Sequence, residues 1–357
     1  MINNKFWKNK KVLITGHPGF KGGWLSIWMN LLGAKVSGYS INPSTKKNFF
    51  NSTKIKKIFF KDYRKNIQNY KNFEECIKKT RPQIIFHLAA QPQVLASFKD
   101  PLDTILTNVV GTSNLLQIVK KYKFVKSVVI ITTDKVYKND EKKIKFSEKD
   151  NLGGDDLYSS SKACADIISS SYFNSFFKKS NCGIATVRAG NCIGGGDWTR
   201  FRILTDASEA FLQNKKLNIR NPNSTRPWQH VLEPLLGYIL LAEKLFGNNR
   251  KEYSSSWNFG PSRKTHVKVL KFAKIFRSKI GSKSKLILSK KVDNREKKNL
   301  DLDSKKANKL LGWKPFLSID DTLKLTADWY LANYQKKNMY DFSSAQIKKF
   351  LKIYNDL

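Results

Sequence analysis

Lys11-Val12-Leu13-Ile14-Thr15-Gly16-His17-Pro18-Gly19-Phe20-Lys21-Gly22 joins a compact, β-branched apolar run to a glycine-rich turn, and the amphipathic stretch 24–32 follows directly. Apolar run, turn and helical period in that order read as strand, turn, helix. Each glycine then has a task. Gly16 permits the tight turn, Gly19 lets the backbone approach a pyrophosphate, and Gly22 allows close packing of the helix. Amides at the helix N-terminus face the anion. The spacing is Gly-x-x-Gly-x-x-Gly, not the commoner Gly-x-Gly-x-x-Gly, so the strand–turn–helix context carries the reading of a dinucleotide site.

Outward from this unit the same rhythm repeats. A strand at 35–40 ends near Asn42, which can bond a ribose hydroxyl but brings no charge to repel a 2'-phosphate. A third strand is expected at 57–61, leading into Asp62-Tyr63-Arg64, where Asp62 is either an acceptor for an adenine amino group or a solvated turn acid. Helical sequence at 73–79 precedes the buried run 84–88, in which His87 reads as a core histidine. Ala89 and Ala90 follow, small enough to let a cofactor lie close at the carboxyl end of a strand. Asn108 opens the next helix as a brace for neighbouring strands. Strand 127–131 delivers Thr132-Thr133-Asp134-Lys135 to the same edge, and one more strand is expected at 183–188. Alternating βα units predict an α/β fold: a doubly wound parallel (Rossmann) sheet with a smaller, mainly helical C-terminal substrate domain. The expected division gives 1–189 and 227–262 to the dinucleotide-binding Rossmann domain, and 190–226 and 263–357 to the substrate-binding domain.

Between those strands lies Tyr158-Ser159-Ser160-Ser161-Lys162, with nothing in it to stop a helix. Residues four apart share a helix face, so phenol and ammonium can occupy one pocket. A free tyrosine titrates near ~10, and a fixed cation nearby favours the phenolate. The pair is a base suited to a sugar hydroxyl. Past Arg188 the βα rhythm gives way to a glycine-rich loop, 189–198, and then to Arg202, Arg220 and Arg226 with Trp228, Gln229 and His230. Arginine forks suit a diphosphate, and tryptophan can cover a base or sugar face.

Composition removes other classes. A chain of 357 residues with 40% apolar and 12% aromatic residues is no disordered segment, and it exceeds the about 250 to 300 residues at which single cores stop growing. No apolar run spans a membrane and no secretory h-region opens the chain, so the expected location is the cytoplasm. Cys76, Cys164, Cys182 and Cys192 lack metal-ligand spacing and read as thiols of a reduced compartment; no metal is expected. The formal net charge of +38 is mainly lysine spread along the whole chain. No zinc-finger spacing or ribonucleoprotein motif accompanies it, so no specific nucleic-acid partner is expected.

Three stretches together resemble a known family: 15–22 as Thr-Gly-His-x-Gly-Phe-Lys-Gly, 188–198 as Arg-Ala-Gly-Asn-x-Ile-Gly-Gly-Gly-Asp-Trp, and 226–234 as Arg-Pro-Trp-Gln-His-Val-Leu-Glu-Pro. They are similar to the extended short-chain dehydrogenase/reductase family, nucleotide-sugar branch, and within it to the enzymes that dehydrate CDP-glucose. The likeness runs over nearly the whole chain. It implies a bound NAD held by Gly16, Gly19, Phe20, Lys21, Gly22, Asp62, Arg64, Leu88, Ala89 and Ala90, with Tyr158 and Lys162 beside the nicotinamide. It also implies CDP-glucose as substrate, met by Asn191, Arg202, Arg226, Trp228 and His230, and a homodimer formed through helices of the cofactor domain.

The chemistry implied is oxidation at C4, loss of water across C5 and C6, and return of hydride to C6. Tyr158, held by Lys162, takes the C4 hydroxyl proton while Thr133 bonds the same oxygen, and Asp134 is the acid at the C6 hydroxyl. Related 4,6-dehydratases carry Glu as the C5 base where this chain has Lys135. A lysine base must be neutral, far from its ordinary pKa of about 10.4, which leaves the C5 base open between Lys135 and another group. Pro18, Gly23 and Leu157 depart from the Thr, Ser and Pro usual in the family. An epimerase of the same family would have no carboxylate at Asp134, and a non-catalytic nucleotide sensor would have no need of Tyr158 or Lys162.

Overall fold

The computed structural model describes residues 1–43, 45–141, 145–199, 202–289 and 300–356. Seven strands make the main sheet: β1 (Lys11–Thr15), β2 (Lys35–Ser40), β3 (Lys61–Arg64), β4 (Ile84–His87), β5 (Ser127–Ile131), β6 (Gly183–Ala189) and β7 (Ser256–Phe259). Every pair is parallel, in the order β7-β6-β5-β4-β1-β2-β3. The order reverses between β1 and β4, and that switch point opens a crevice at the carboxyl edge. Register sets Thr15 opposite His87 and Ile131 opposite Val187. The segments that follow β1, β4, β5 and β6 therefore leave the sheet side by side.

The strands read as nearly unbroken apolar runs because both faces are covered. Val12, Ile14, Ile84, Phe86, Val129 and Val187 point into one cluster, with α1 (Phe20–Leu31) and α5 (Leu232–Phe246). Leu13, Ile85, Val128, Ile130 and Ile184 point into the other, under α2 (Tyr70–Thr80) and α3 (Gly111–Lys121). The period of two assigns alternate side chains to opposite layers. The first cluster continues without a break into the C-terminal helices Ile319–Tyr334 and Met339–Asn355, where Trp28 meets Phe350 edge-on at 5.7 Å and Trp329 stacks on Phe49 at 5.8 Å.

The third strand departs from expectation. Residues 55–58 close a 3-10 turn that seats Ile55 in the core, entered through Lys54 at φ 51°, and pairing with β2 starts only at Lys61. Asp62 consequently stands within the strand, not after it. At the sheet edge β3 carries Lys61 exposed and Asp62, Tyr63 and Arg64 half-buried, so no apolar alternation marks it in the sequence. The helix opened by Asn108 also begins irregularly, as a π-turn over Leu106–Val110 before α3. Ser256–Phe259 supplies β7, which closes the sheet beside β6.

Candidate active site

The nucleotide turn is a backbone-on-backbone construction. Gly16 sits at φ +71°, and a methyl group there would lie 2.7 Å from the Ala89 amide nitrogen. A methyl on Gly22 would overlap the Gly16 carbonyl oxygen. With Gly19 as N-cap of α1, the amides of Phe20, Lys21 and Gly22 come too early in the helix to have an intrahelical carbonyl. These features fit the pyrophosphate of a dinucleotide, which needs close backbone approach and outward amides. Leu88, Ala89 and Ala90 are half-buried beside them, tied in by Leu88 N–H donating to the Thr15 carbonyl at 3.1 Å and Ala89 N–H to Thr15 Oγ1 at 3.1 Å.

Asp62 and Arg64 meet at 2.8 Å, and the other Asp62 oxygen lies 3.0 Å from His17 Nε2. Burial lowers the pKa of His17 against the pull of Asp62, while the same contacts, set against burial, hold Asp62 below its ordinary value. A carboxylate has about four acceptor sites, so Asp62 keeps capacity for a further donor. Asn42 is exposed just past β2.

The helix α4 (Leu157–Tyr172) starts at the cap Asp156, whose carboxylate accepts from the Ser159 amide at 2.9 Å. Tyr158 thus lies in its first turn, half-buried, and Lys162 one turn on, buried. Lys162 Nζ donates to the Ile131 carbonyl at 2.6 Å. Burial, and then the nearby Lys21, push the Lys162 pKa down to about 8, with Asp166 pulling it back up. Lys21 lies in electrostatic range of Tyr158, Cys192 and Tyr238, so this residue of the glycine turn also faces the Tyr158–Lys162 pair. Thr133 and Asp134, just past β5, are buried, with Thr133 Oγ1 donating to Asp134 Oδ1 at 3.0 Å. Lys135 Nζ, one-third exposed, is 3.6 Å from the same oxygen. The five expected catalytic residues therefore come from the end of β5 and the start of α4. His87 is buried between Thr15 at 2.8 Å and Thr112 at 3.2 Å, and burial, with Lys162 nearby, takes its pKa down to about 3. It is a neutral core histidine.

Of the residues expected to meet substrate, Asn191 is exposed at the edge past β6. Arg202 caps the helix Ile203–Leu212 and pairs with buried Asp197 at 2.7 Å; its guanidinium is in electrostatic range of Tyr158. Arg226 is on the short strand Thr225–Pro227, half-buried. Trp228 and His230 are placed otherwise than expected. The Trp228 ring stacks on Phe272 at 4.1 Å and its Nε1–H donates to the Val267 carbonyl at 3.3 Å. His230 is fully buried, 6.3 Å from the Trp24 ring, with its pKa down to about 3 through burial. Residues 228–230 are buried in succession, so both side chains lie inside the fold and not at its surface. The glycines 194–196 have a packing reason that the sequence alone did not show: the rings of Phe20, Phe49 and Trp329 close directly on their backbone.

The family model for GDP-mannose 4,6 dehydratase matches residues 13–336. The chain belongs to this family. It is 39% identical to the CDP-glucose 4,6-dehydratase of Salmonella typhimurium, across 98% of this chain and 99% of that one. It is 28% identical to the dTDP-D-glucose 4,6-dehydratase of Dictyostelium discoideum, across 66% of this chain and 56% of that one. Among solved structures, a Bacillus anthracis dTDP-glucose 4,6-dehydratase in complex with NAD superposes with a TM-score of 0.75 at 22% identity, covering 93% of this chain and 99% of that one. A Thermotoga maritima UDP-glucose 4-epimerase with UDP-glucose gives 0.77 at 22% identity, covering 90% and 98%. These likenesses establish the Rossmann-type α/β fold. Asp166, which belongs to none of the quoted motifs, pairs with Arg188, the first residue of the 188–198 stretch; its only signal in the sequence is an acid one turn beyond Lys162.

Proposed function

We propose that the chain converts CDP-D-glucose to CDP-4-dehydro-6-deoxy-D-glucose with loss of water, using NAD held along the carboxyl edge of the sheet. One observation carries the reading: the glycine turn, the Thr133–Asp134–Lys135 segment and the Tyr158–Lys162 pair meet at one edge. The 39% identity to the Salmonella dehydratase along nearly the full length supports CDP-glucose in particular. Gly16, Gly19 and the amides of Phe20, Lys21 and Gly22 would hold the pyrophosphate, Asp62 and Arg64 the adenosine end, and Leu88, Ala89 and Ala90 the flank. NAD supplies the acceptor, and afterwards the donor, of the hydride exchanged between C4 and C6.

The protein's own groups move the protons. Lys162 stabilises the Tyr158 phenolate, which accepts the proton of the C4 hydroxyl and becomes neutral, and Thr133 bonds the same oxygen. The ketone at C4 acidifies the C5 proton. Asp134, in its acid form, protonates the C6 hydroxyl as it departs, and Lys135, with Nζ 3.6 Å from Asp134, is the candidate to take the C5 proton as a neutral amine and to return it when hydride reaches C6. Asn191, Arg202 and Arg226 bind the nucleotide diphosphate, with Trp228 and His230 supporting them from within. In this reading 190–226 and 263–357 form the nucleotide-sugar lobe. Asp134 favours dehydration over the epimerase reading, because an epimerase has no leaving hydroxyl to protonate.

The same proposal includes a homodimer in the cytoplasm. Phe98, Leu102, Ile167 and Phe176 are at least half exposed on the segments Val94–Lys99 and Pro101–Ile105, on α4 and on the turn after it. An apolar face of this kind suits a second copy of the chain. No helix among the described residues is long and apolar enough to cross a membrane. The deciding experiment incubates pure protein and NAD with a panel of nucleoside-diphosphate glucoses and follows loss of water by mass spectrometry. Binding of CDP-glucose without loss of water would refute the proposal.

A further inference from the structure

Beneath the catalytic pair lies a buried ion pair that the proposed chemistry does not use. Asp166 is one helical turn past Lys162 on α4, and Arg188 is in β6; each is 2% exposed. The guanidinium grips the carboxylate with two bonds, Nε to Oδ2 and Nη2 to Oδ1, both 2.9 Å. The hydroxyls of Thr186 and Ser256 lie 2.9 Å from Oδ1, and Thr132 Oγ1 lies 3.2 Å from Oδ2. Arg188 Nη1 donates to Tyr137 Oη at 2.8 Å, and that hydroxyl donates to Asn258 Oδ1 at 2.7 Å. One carboxylate thus ties α4 to β5, β6 and β7.

Where those ties end matters for the reaction. Thr132 stands between Ile131, whose carbonyl receives Lys162, and Thr133, which borders Asp134. We propose that Asp166 and Arg188 are positioning residues that lock the 131–133 segment against α4 and supply a counter-charge beneath Lys162. The proposal rests on the Tyr158–Lys162 chemistry given above. Around Lys162 the charged and titratable groups are Lys21 from α1, His87 from β4 and Asp166 from α4 itself, with Tyr158 one turn before it on the same helix. Tyr158 also faces Lys21 and Arg202. Lys21 opposes a charge on Lys162, His87 is neutral, and Asp166 is the anion that favours the ammonium.

Removing that anion favours the phenolate and disfavours the ammonium, so both limbs of the pH–rate profile move the same way. The test measures kcat and KM against pH for Asp166→Asn, Arg188→Gln and the double variant. Asp166→Asn is expected to shift the limb set by Lys162 to lower pH by about one unit, the size an adjacent charge produces, and the limb set by Tyr158, two helical turns from Asp166, the same way by less. Arg188→Gln shifts them to higher pH. The double variant restores their place while kcat stays roughly tenfold low at native KM, the mark of misplaced groups. Limbs that stay at native pH in both single variants, or that shift in the same direction, overturn the proposal. Where a lone buried charge stops a single variant from folding, the other gives the direction. Thr132→Val then reads the positioning part separately: kcat falls about tenfold with the limbs unmoved, and native kcat overturns it. Tyr158 ionisation, read as the ultraviolet phenolate signal of each protein minus that of its Tyr158→Phe counterpart, needs no turnover. If native protein binds CDP-glucose without dehydrating it, the proposed function fails, while the shift of this titration still decides the role of the ion pair.

Discussion

Gly22→Ala tests the nucleotide turn most sharply. The added methyl would overlap the Gly16 carbonyl oxygen and lie 2.8 Å from His17 Cα and 3.0 Å from the Gly16 carbonyl carbon, all backbone atoms, where ordinary contact begins at 3.4 Å. No side chain can rotate away, so the turn must retreat from α1 by about half an ångström, at an overpacking cost of about 1–3 kcal/mol. The retreat separates Gly16 and His17 from the first amides of α1, which together form the anion site. Loss of one charge-assisted bond is worth about 1.5–3 kcal/mol, hence a fall in NAD affinity of about tenfold to a hundredfold. Isothermal titration with NAD and, separately, with CDP measures this, alongside the melting temperature. CDP affinity should hold within about twofold, since the nucleotide-sugar residues lie elsewhere. Gly19→Ala, whose methyl would be 3.2 Å from the Gly16 oxygen, should fall between native protein and Gly22→Ala. Gly281→Ala sits at φ +75° with nothing within 4 Å, and should cost about 1 kcal/mol of backbone strain with NAD binding unchanged. A folded Gly22→Ala protein that binds NAD with native affinity would refute the reasoning.

Three other outcomes are expected. Tyr158→Phe keeps CDP binding but loses both product and the transient absorbance of reduced cofactor; retained turnover would remove Tyr158 as the base. Burial pushes Glu233 up to about 7, against the backbone amides of Leu317 and Phe316 that pull it down. This acid holds its proton more tightly folded than unfolded, so its contribution is full below the ordinary 4.5 and is lost as pH rises to about 7, by roughly 3 kcal/mol. Glu233→Gln should flatten that part of the stability–pH curve, read by denaturant melts across the window; an unchanged slope would count against it. Phe98→Asp places a charge on the exposed apolar face and should convert the proposed dimer to monomer in light scattering, whereas native mass in both proteins would dissociate that face from assembly.

Much of the fold was legible because its signals are local. A strand, its turn and its helix are contiguous in 11–31, and the tasks of Gly16 and Gly22 follow from backbone sterics that any neighbour would impose. The Tyr158–Lys162 spacing likewise needs only a helix. Apolar runs such as 127–131 disclosed strands buried on both faces. The edge strand β3 hid, because three of its four residues are charged and the apolar residues before it turn inward at Ile55. Trp228 looked like a ligand platform from its arginine neighbours, yet Phe272, far along the chain, claims its ring.

By itself, then, the sequence determined the strands of the parallel sheet, the glycine turn and the placing of Tyr158 and Lys162 one turn apart on α4, since each depends on residues within a few positions of one another. Only the tertiary structure decided which polar groups stand behind them: His17 on Asp62, Trp329 on the glycines 194–196, Arg188 on Asp166. Those partners are joined by packing across the fold, and the space they share exists only once the layers have closed.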